Sequence, residues 1–175
     1  MQKLYAAKEF EDLLFSLGVC LPKDAAGNFI SEHEKSDVVH DFLVFLAEQM
    51  LEMNKEKQEE VKGFLSWLEG EIGAKMDELS PKTKLQGYYN LKFNEFHDVL
   101  KKNKNKLKID ISRREPTERL KDEFQLSINK LQPLFQRLEQ TDELIDQIVY
   151  KLYGLTEDEI KIVEGMDRRL TIIQE

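Results

Sequence analysis

The chain has 175 residues, of which 41% are hydrophobic and 34% charged, with a formal net charge of −8. That length suits one domain, or a domain with a long arm, and is enough to bury a real core. The charge content excludes a membrane-embedded protein, the apolar content excludes disorder, and the acidity argues against wholesale coating of nucleic acid.

No apolar run approaches the ~18 residues that a bilayer span needs. The opening Met1-Gln2-Lys3-Leu4-Tyr5 lacks the apolar stretch of a signal peptide. The lone Cys20 allows neither an internal disulfide nor a multi-cysteine zinc site, and fits a reducing cytoplasm. It reads as a small buried hydrophobe at a helix end. Gly (8) and Pro (4) are scarce and alternating β-branched stretches nearly absent, so the expected class is all-α.

Leu4, Phe10, Leu13, Leu14 and Leu17 fall at helical spacing over residues 3–17, with Gly18 as a stop. Residues 21–28 read as a loop from their Pro, Gly and Asn content. Ser31 with Glu34 has the capping-box form, and Ser36 is a second candidate cap. A long helix over about 37–72 follows. Its apolar face runs from Val39, Phe42, Leu43, Leu46, Met50 and Met53 to Val61, Phe64, Leu65, Leu68 and Ile72. The polar stretch 54–60 contains no breaker, so the spacing predicts one rod whose middle turns stand in water, rather than two helices broken near Asn54. Met50, Leu51 and Met53 read as core, with a partner groove as the alternative. Trp67 is expected half-buried.

Ser80-Pro81 reads as the cap and first residue of a short helix through Tyr88-Tyr89. Another short helix over about 92–102 turns Phe93, Phe96, Val99 and Leu100 inward. Residues 103–115 form a connector, in which 107–111 alternate like one extended segment with no partner strand. Pro116 opens a long helix carrying Leu120, Phe124, Ile128, Leu131, Phe135 and Leu138, with a kink expected at Pro133. Thr141-Asp142 is read as the cap of the next helix, whose face is Leu144, Ile145, Ile148, Val149 and Leu152, ending at Gly154. The two helices make a C-terminal helical hairpin. Thr156 with Glu159 caps a last short helix that stops at Gly165. The expected organisation is an N-terminal helix and loop over 1–35, a helical-bundle domain over 36–165, and a flexible tail over 166–175.

Signatures of catalysis are missing. The sequence has no glycine-rich phosphate loop, no Asn-Pro-Pro-aromatic tetrapeptide, no Gly-x-Ser-x-Gly and no His-Glu-x-x-His. No catalytic or metal-ligating residue is therefore assigned. His33 and His40 are expected in solvent and His97 at a rim beside Phe96. Acid pairs such as Glu59-Glu60 and the run Glu157-Asp158-Glu159 fall on polar helix faces or in first turns, where carboxylates complement the helix dipole. Asp110 and Glu115 beside Arg113 and Arg114 faintly resemble a nuclease carboxylate cluster, but that arrangement needs a sheet to aim it.

The departure from background is a basic segment. Lys101, Lys102, Lys104, Lys106, Lys108, Arg113 and Arg114 fall within fourteen residues against Asp110 alone. Seven cations and one acid give a local +6 in a chain of −8, which leaves −14 for the rest. Such a strip can face phosphates while the remainder is repelled, which fixes orientation. These seven are the candidate DNA-phosphate contacts; a solvated connector paired with acidic helices is the plainer alternative. Tyr88, Tyr89, Tyr150 and Tyr153 could stack on bases, although packing is favoured for Tyr150 and Tyr153.

The run Thr141 to Glu164, with Asp142, Ile145, Asp146, Val149-Tyr150, Leu152 through Thr156, Glu159-Ile160 and Ile162 through Glu164, resembles one particular chain ending. It is similar to the C-terminus of large adenine-specific DNA methyltransferases of restriction–modification systems, the type IIG-like fusions of methylase and nuclease and their relatives in phage defence. The stretches Leu43–Lys55 and Gly63–Leu79, running on into the lysine-rich connector, look similar too, so the likeness covers roughly 40–165. It implies a helical tail that follows the target-recognition domain and holds that domain or flanks duplex DNA. The family's catalytic and S-adenosylmethionine-binding motifs lie upstream, so no cofactor is expected in this chain. The resemblance implies an excised C-terminal domain or a small stand-alone relative, partnered with a methyltransferase or target-recognition domain in cis or in trans. A protein-interaction or homodimerising module built on the 37–72 helix as a coiled-coil arm is the alternative from another class.

Overall fold

The computed structural model describes residues 1–25, 27, 29, 30 and 35–172, the last seven by backbone alone. The fold is all-α, and seven α-helices lie among the described residues: α1 (Gln2–Ala7), α2 (Phe10–Cys20), α3 (Ser36–Ile72), α4 (Lys82–Gln86), α5 (Phe93–Lys102), α6 (Arg114–Tyr153) and α7 (Glu157–Ile172). The extended pairing among these residues is limited to a single bridge, Lys23 with Phe29. The Ser31–Glu34 box and His33 lie outside the described residues.

Helix α3 is the expected rod, unbroken through residues 54–60. Its middle turns are not left wholly to water, because Lys57 lies over the ring of Phe135 at 5.4 Å and Glu60 accepts from Lys130 at 3.0 Å. Gly73 ends the helix at φ 66, a left-handed conformation that costs glycine nothing.

Several helix boundaries differ from the sequence reading. The N-terminal helix breaks after Ala7, because Lys8 adopts φ 61 and the backbone closes a Schellman-type turn, Lys8 N donating to Tyr5 O and Glu9 N to Leu4 O. A lysine in a place usually taken by glycine leaves no signal in the sequence. Ser80 does not cap α4, whose cap position is Pro81, and α4 ends at Gln86 before a separate 3-10 turn over Tyr88–Asn90. Thr141 is no cap either. Helix α6 runs continuously through Pro133 and Thr141, so Leu144, Ile148 and Leu152 extend the helix of Leu120–Leu138 rather than folding back on it. The chain turns instead at Gly154, φ 68, between α6 and α7, where Thr156 and Glu159 close the expected capping box. Helix α7 then continues past Gly165 to Ile172.

The chain divides into two compact units, one of residues 1–50 with 139–175 and one of 51–138. The first is built on Leu13, Leu17, Leu21, Val39, Phe42, Leu46, Leu144 and Ile148, all buried. Here the hydroxyls of Tyr5 and Thr141 share a hydrogen bond of 2.8 Å, which gives the buried Thr141 its partner. The second is aromatic at its centre. Phe64 stacks on Tyr88 at 4.1 Å, and both rings meet Phe96 and Phe124. Each such side chain contributes about 1.5–3 kcal/mol on burial. The Tyr88 hydroxyl shares a 2.5 Å bond with Ser127, and burial pushes its pKa up to about 12. Tyr88 is therefore core and not a platform for bases, while Tyr89 packs half-buried on Phe135. Trp67 is half-buried as expected.

Candidate functional site: a tethered cationic connector

The basic segment lies wholly in the 51–138 unit, from the last turn of α5 to the first residue of α6. Lys101 and Lys102 sit where cations complement the negative end of a helix. Arg113 and Arg114 stand at the other kind of end, the N-terminus of α6, where the helix dipole disfavours them. Local helix electrostatics therefore account for the first pair and not for the second.

The connector is tied to its unit at several points. Asn103 is buried and closes α5; its Nδ2 donates to Ser80 O at 2.7 Å and Val99 O at 2.9 Å, and its Oδ1 accepts from Ser80 N at 3.0 Å. Lys106 spends its ammonium on Glu78 O at 2.5 Å. The Lys108 backbone N donates to Ile72 O at 2.8 Å, and the stem of its side chain crosses Gly73 so closely that a Cβ there would lie 2.7 Å from Lys108 Cδ. Ile111 is buried, and its carbonyl accepts from Thr117 Oγ1 at 2.8 Å and from His97 Nε2 at 3.0 Å. Since a carbonyl cannot donate, His97 carries its proton on Nε2. His97 is thus a buried brace stacked on Phe93, not the rim residue its sequence context suggests. Residues 107–111 form no strand.

All seven candidate cations are exposed. Lys101 faces Asp98 at 3.6 Å, Arg113 faces Asp110 at 3.3 Å and Arg114 faces Glu118 at 2.7 Å. Pairs this exposed contribute little and are readily exchanged for another anion. Lys102, Lys104 and Lys108 have no carboxylate partner among the described residues. Between the tethers the connector curves round a groove of about 680 Å³, lined by Lys101, Lys104, Asn105, Leu107, Lys108, Ile109, Asp110, Ile111 and Ser112.

The acids of this region are turned to structural use. Asp110 accepts from the Ser112 hydroxyl at 2.5 Å and from Ser112 N at 3.1 Å. The Ser112 side chain first, then its backbone and Arg113, hold the Asp110 carboxyl below the usual carboxylate range. Among the described residues no group of three His, Cys, Asp or Glu is placed to hold a metal ion. His40 lies exposed on α3. No helix among the described residues is long and apolar enough to cross a membrane.

The chain belongs to a family described as a domain of unknown function (DUF8810), which matches residues 36–149 and so includes the whole 51–138 unit and every cation of the connector. No curated protein and no solved structure matches it.

Proposed function

We propose that this chain is a non-catalytic helical accessory module of a DNA restriction–modification methyltransferase, supporting target recognition by holding DNA phosphates on the Lys101–Arg114 connector. The observation that carries the reading is the pairing pattern. Lys102, Lys104 and Lys108 are exposed with no carboxylate partner among the described residues, although the rest of the chain carries −14 and could have supplied partners. Repulsion by that acidic remainder would orient the DNA onto the strip. The likeness of Thr141–Glu164 to methyltransferase chain endings supplies the enzyme context.

Duplex binding measured by fluorescence anisotropy at roughly 50 and 200 mM salt tests it. Each phosphate contact contributes about 0.9 to the logarithmic salt slope, so changing these three lysines to Gln should lower the slope by about 2–3. Unchanged slope and affinity would remove the DNA role. A second reading, self-association through α3, has one observation in its favour: Leu51, an apolar residue of that helix, is 73% exposed. Sedimentation at several concentrations decides it, since a monomer at all of them excludes the arm.

A further inference from the structure

Resting on the phosphate-binding reading above, we propose that the connector groove takes an unpaired nucleotide of a single-stranded DNA segment, in preference to the backbone of a blunt duplex. The observation is the chemistry of the lining. A surface built only for a run of phosphates would be cationic throughout. This groove instead combines Lys101, Lys104 and Lys108 with an apolar floor from half-buried Leu107 and Ile109, and it includes the Asp110 carboxylate. Asp110 cannot be neutralised cheaply, because Ser112 and Arg113 hold its carboxyl below the ordinary range.

A chain of phosphates passing along the whole lining would meet that negative charge. An unpaired nucleotide would not, because only one part of it is anionic. Its phosphate matches the ammonium groups, and its sugar and base carry apolar faces and edge donors. Those match the aliphatic floor, the Asn105 amide and the remaining lone pairs of Asp110. The groove's size, about 680 Å³, lies in the range of pockets that enclose small organic ligands. In a blunt duplex the base faces are stacked away and only phosphate and sugar are presented to such a surface. Single strands expose both, and their binding sites combine a cationic track with surfaces for the bases. Here that surface is aliphatic, so selectivity among the bases is expected to be weak.

The tethers make this a standing concavity. Asn103, the Lys108 backbone N and the Ile111 carbonyl fix the connector at three places along its length. Of the floor residues, Leu107 lies between the first and second and Ile109 between the second and third.

The test uses the full chain and three labelled probes of equal length, about 12 nucleotides: an oligothymidine, a blunt duplex, and a duplex with a single-stranded overhang. Anisotropy at one salt concentration is expected to rank oligothymidine and overhang about ten-fold above the blunt duplex. Lys101, Lys104 and Lys108 changed together to Gln should weaken all three probes. Ile109→Asn, made in a side chain that is only half-buried, should weaken the single-stranded probes several-fold more than the blunt duplex, with circular dichroism confirming the helical fold. If the fold is lost, the milder Ile109→Thr carries the same expectation. Equal affinity for all three probes, all lost in the lysine variant, overturns this inference and leaves the phosphate reading standing. Preference for the blunt duplex does the same. No binding to any probe overturns both.

Discussion

Asn103→Ala is the substitution that most directly probes how the cationic connector is held. The side chain makes three hydrogen bonds of 2.7–3.0 Å, two donated and one accepted, joining the end of α5 to Ser80. A net contribution of about 0.5–1.5 kcal/mol for each bond gives about 3 kcal/mol if all were lost to a dry site. Ser80 is exposed, so water recovers part of what its N–H and carbonyl lose, and only the bond to Val99 lies wholly inside. The expected cost is therefore about 2 kcal/mol. Urea unfolding followed by the fluorescence of Trp67 measures it, because this single tryptophan belongs to the same compact unit. Asn103→Asp keeps the acceptor for Ser80 N and loses both donors, so it should fall at or beyond the Ala value, with a new negative charge set among the lysines. A loss below about 0.5 kcal/mol for Asn103→Ala would refute the claim that this residue clamps the connector.

Other expectations follow from the same contacts. Tyr88 has its pKa raised to about 12, so the stability it lends is fully present below its unfolded pKa of about 10 and is lost as pH rises through the folded value. The urea midpoint should fall between pH 10 and about 12, and Tyr88→Phe should flatten that fall. Glu159 is shifted the other way, chiefly by the Thr156 backbone N–H and then by its hydroxyl. Its contribution is present above the unfolded carboxyl pKa and is lost on acidification, so Glu159→Gln should weaken the α7 start at neutral pH and matter less at low pH, as read by helix content. Gly73→Ala places a Cβ at positive φ and 2.7 Å from Lys108 Cδ. It should cost about 1–2 kcal/mol in the same tryptophan assay, and an unchanged midpoint would show that the backbone there relaxes freely. Tyr5→Phe and Thr141→Val each remove one end of a shared bond; thermal unfolding of the double variant should lose less than the sum of the two single losses, and strict additivity would deny the coupling.

What the sequence made legible is what is decided within a few residues. The apolar periodicity of α3, the inward face of α5 and the Thr156–Glu159 box depend on neighbours three or four positions away, and each appears as read. The cations of the connector were likewise countable. Their setting was not, because Asn103, Lys106 and Lys108 are held by Ser80, Glu78 and Ile72, more than twenty residues upstream. His97 looked like a rim residue because nothing adjacent reveals that its partner is the Ile111 carbonyl. Thr141 misled in the same way. Its residue type favours a cap, yet a hydroxyl from Tyr5 satisfies it inside a continuous helix. The left-handed Lys8 has no counterpart in propensity at all.

The tie points of the connector involve its backbone, the buried Asn103, the Lys106 ammonium and the stem of Lys108, whereas Lys102 and Lys104 end in open solvent. The charges at 102 and 104 therefore belong to atoms that take no part in holding the stretch. Substitution at 102 or 104 can raise, lower or reverse the local field while leaving the supporting bonds intact. A lineage carrying this fold could thus change the charge of this surface by small steps, without first passing through an unstable intermediate.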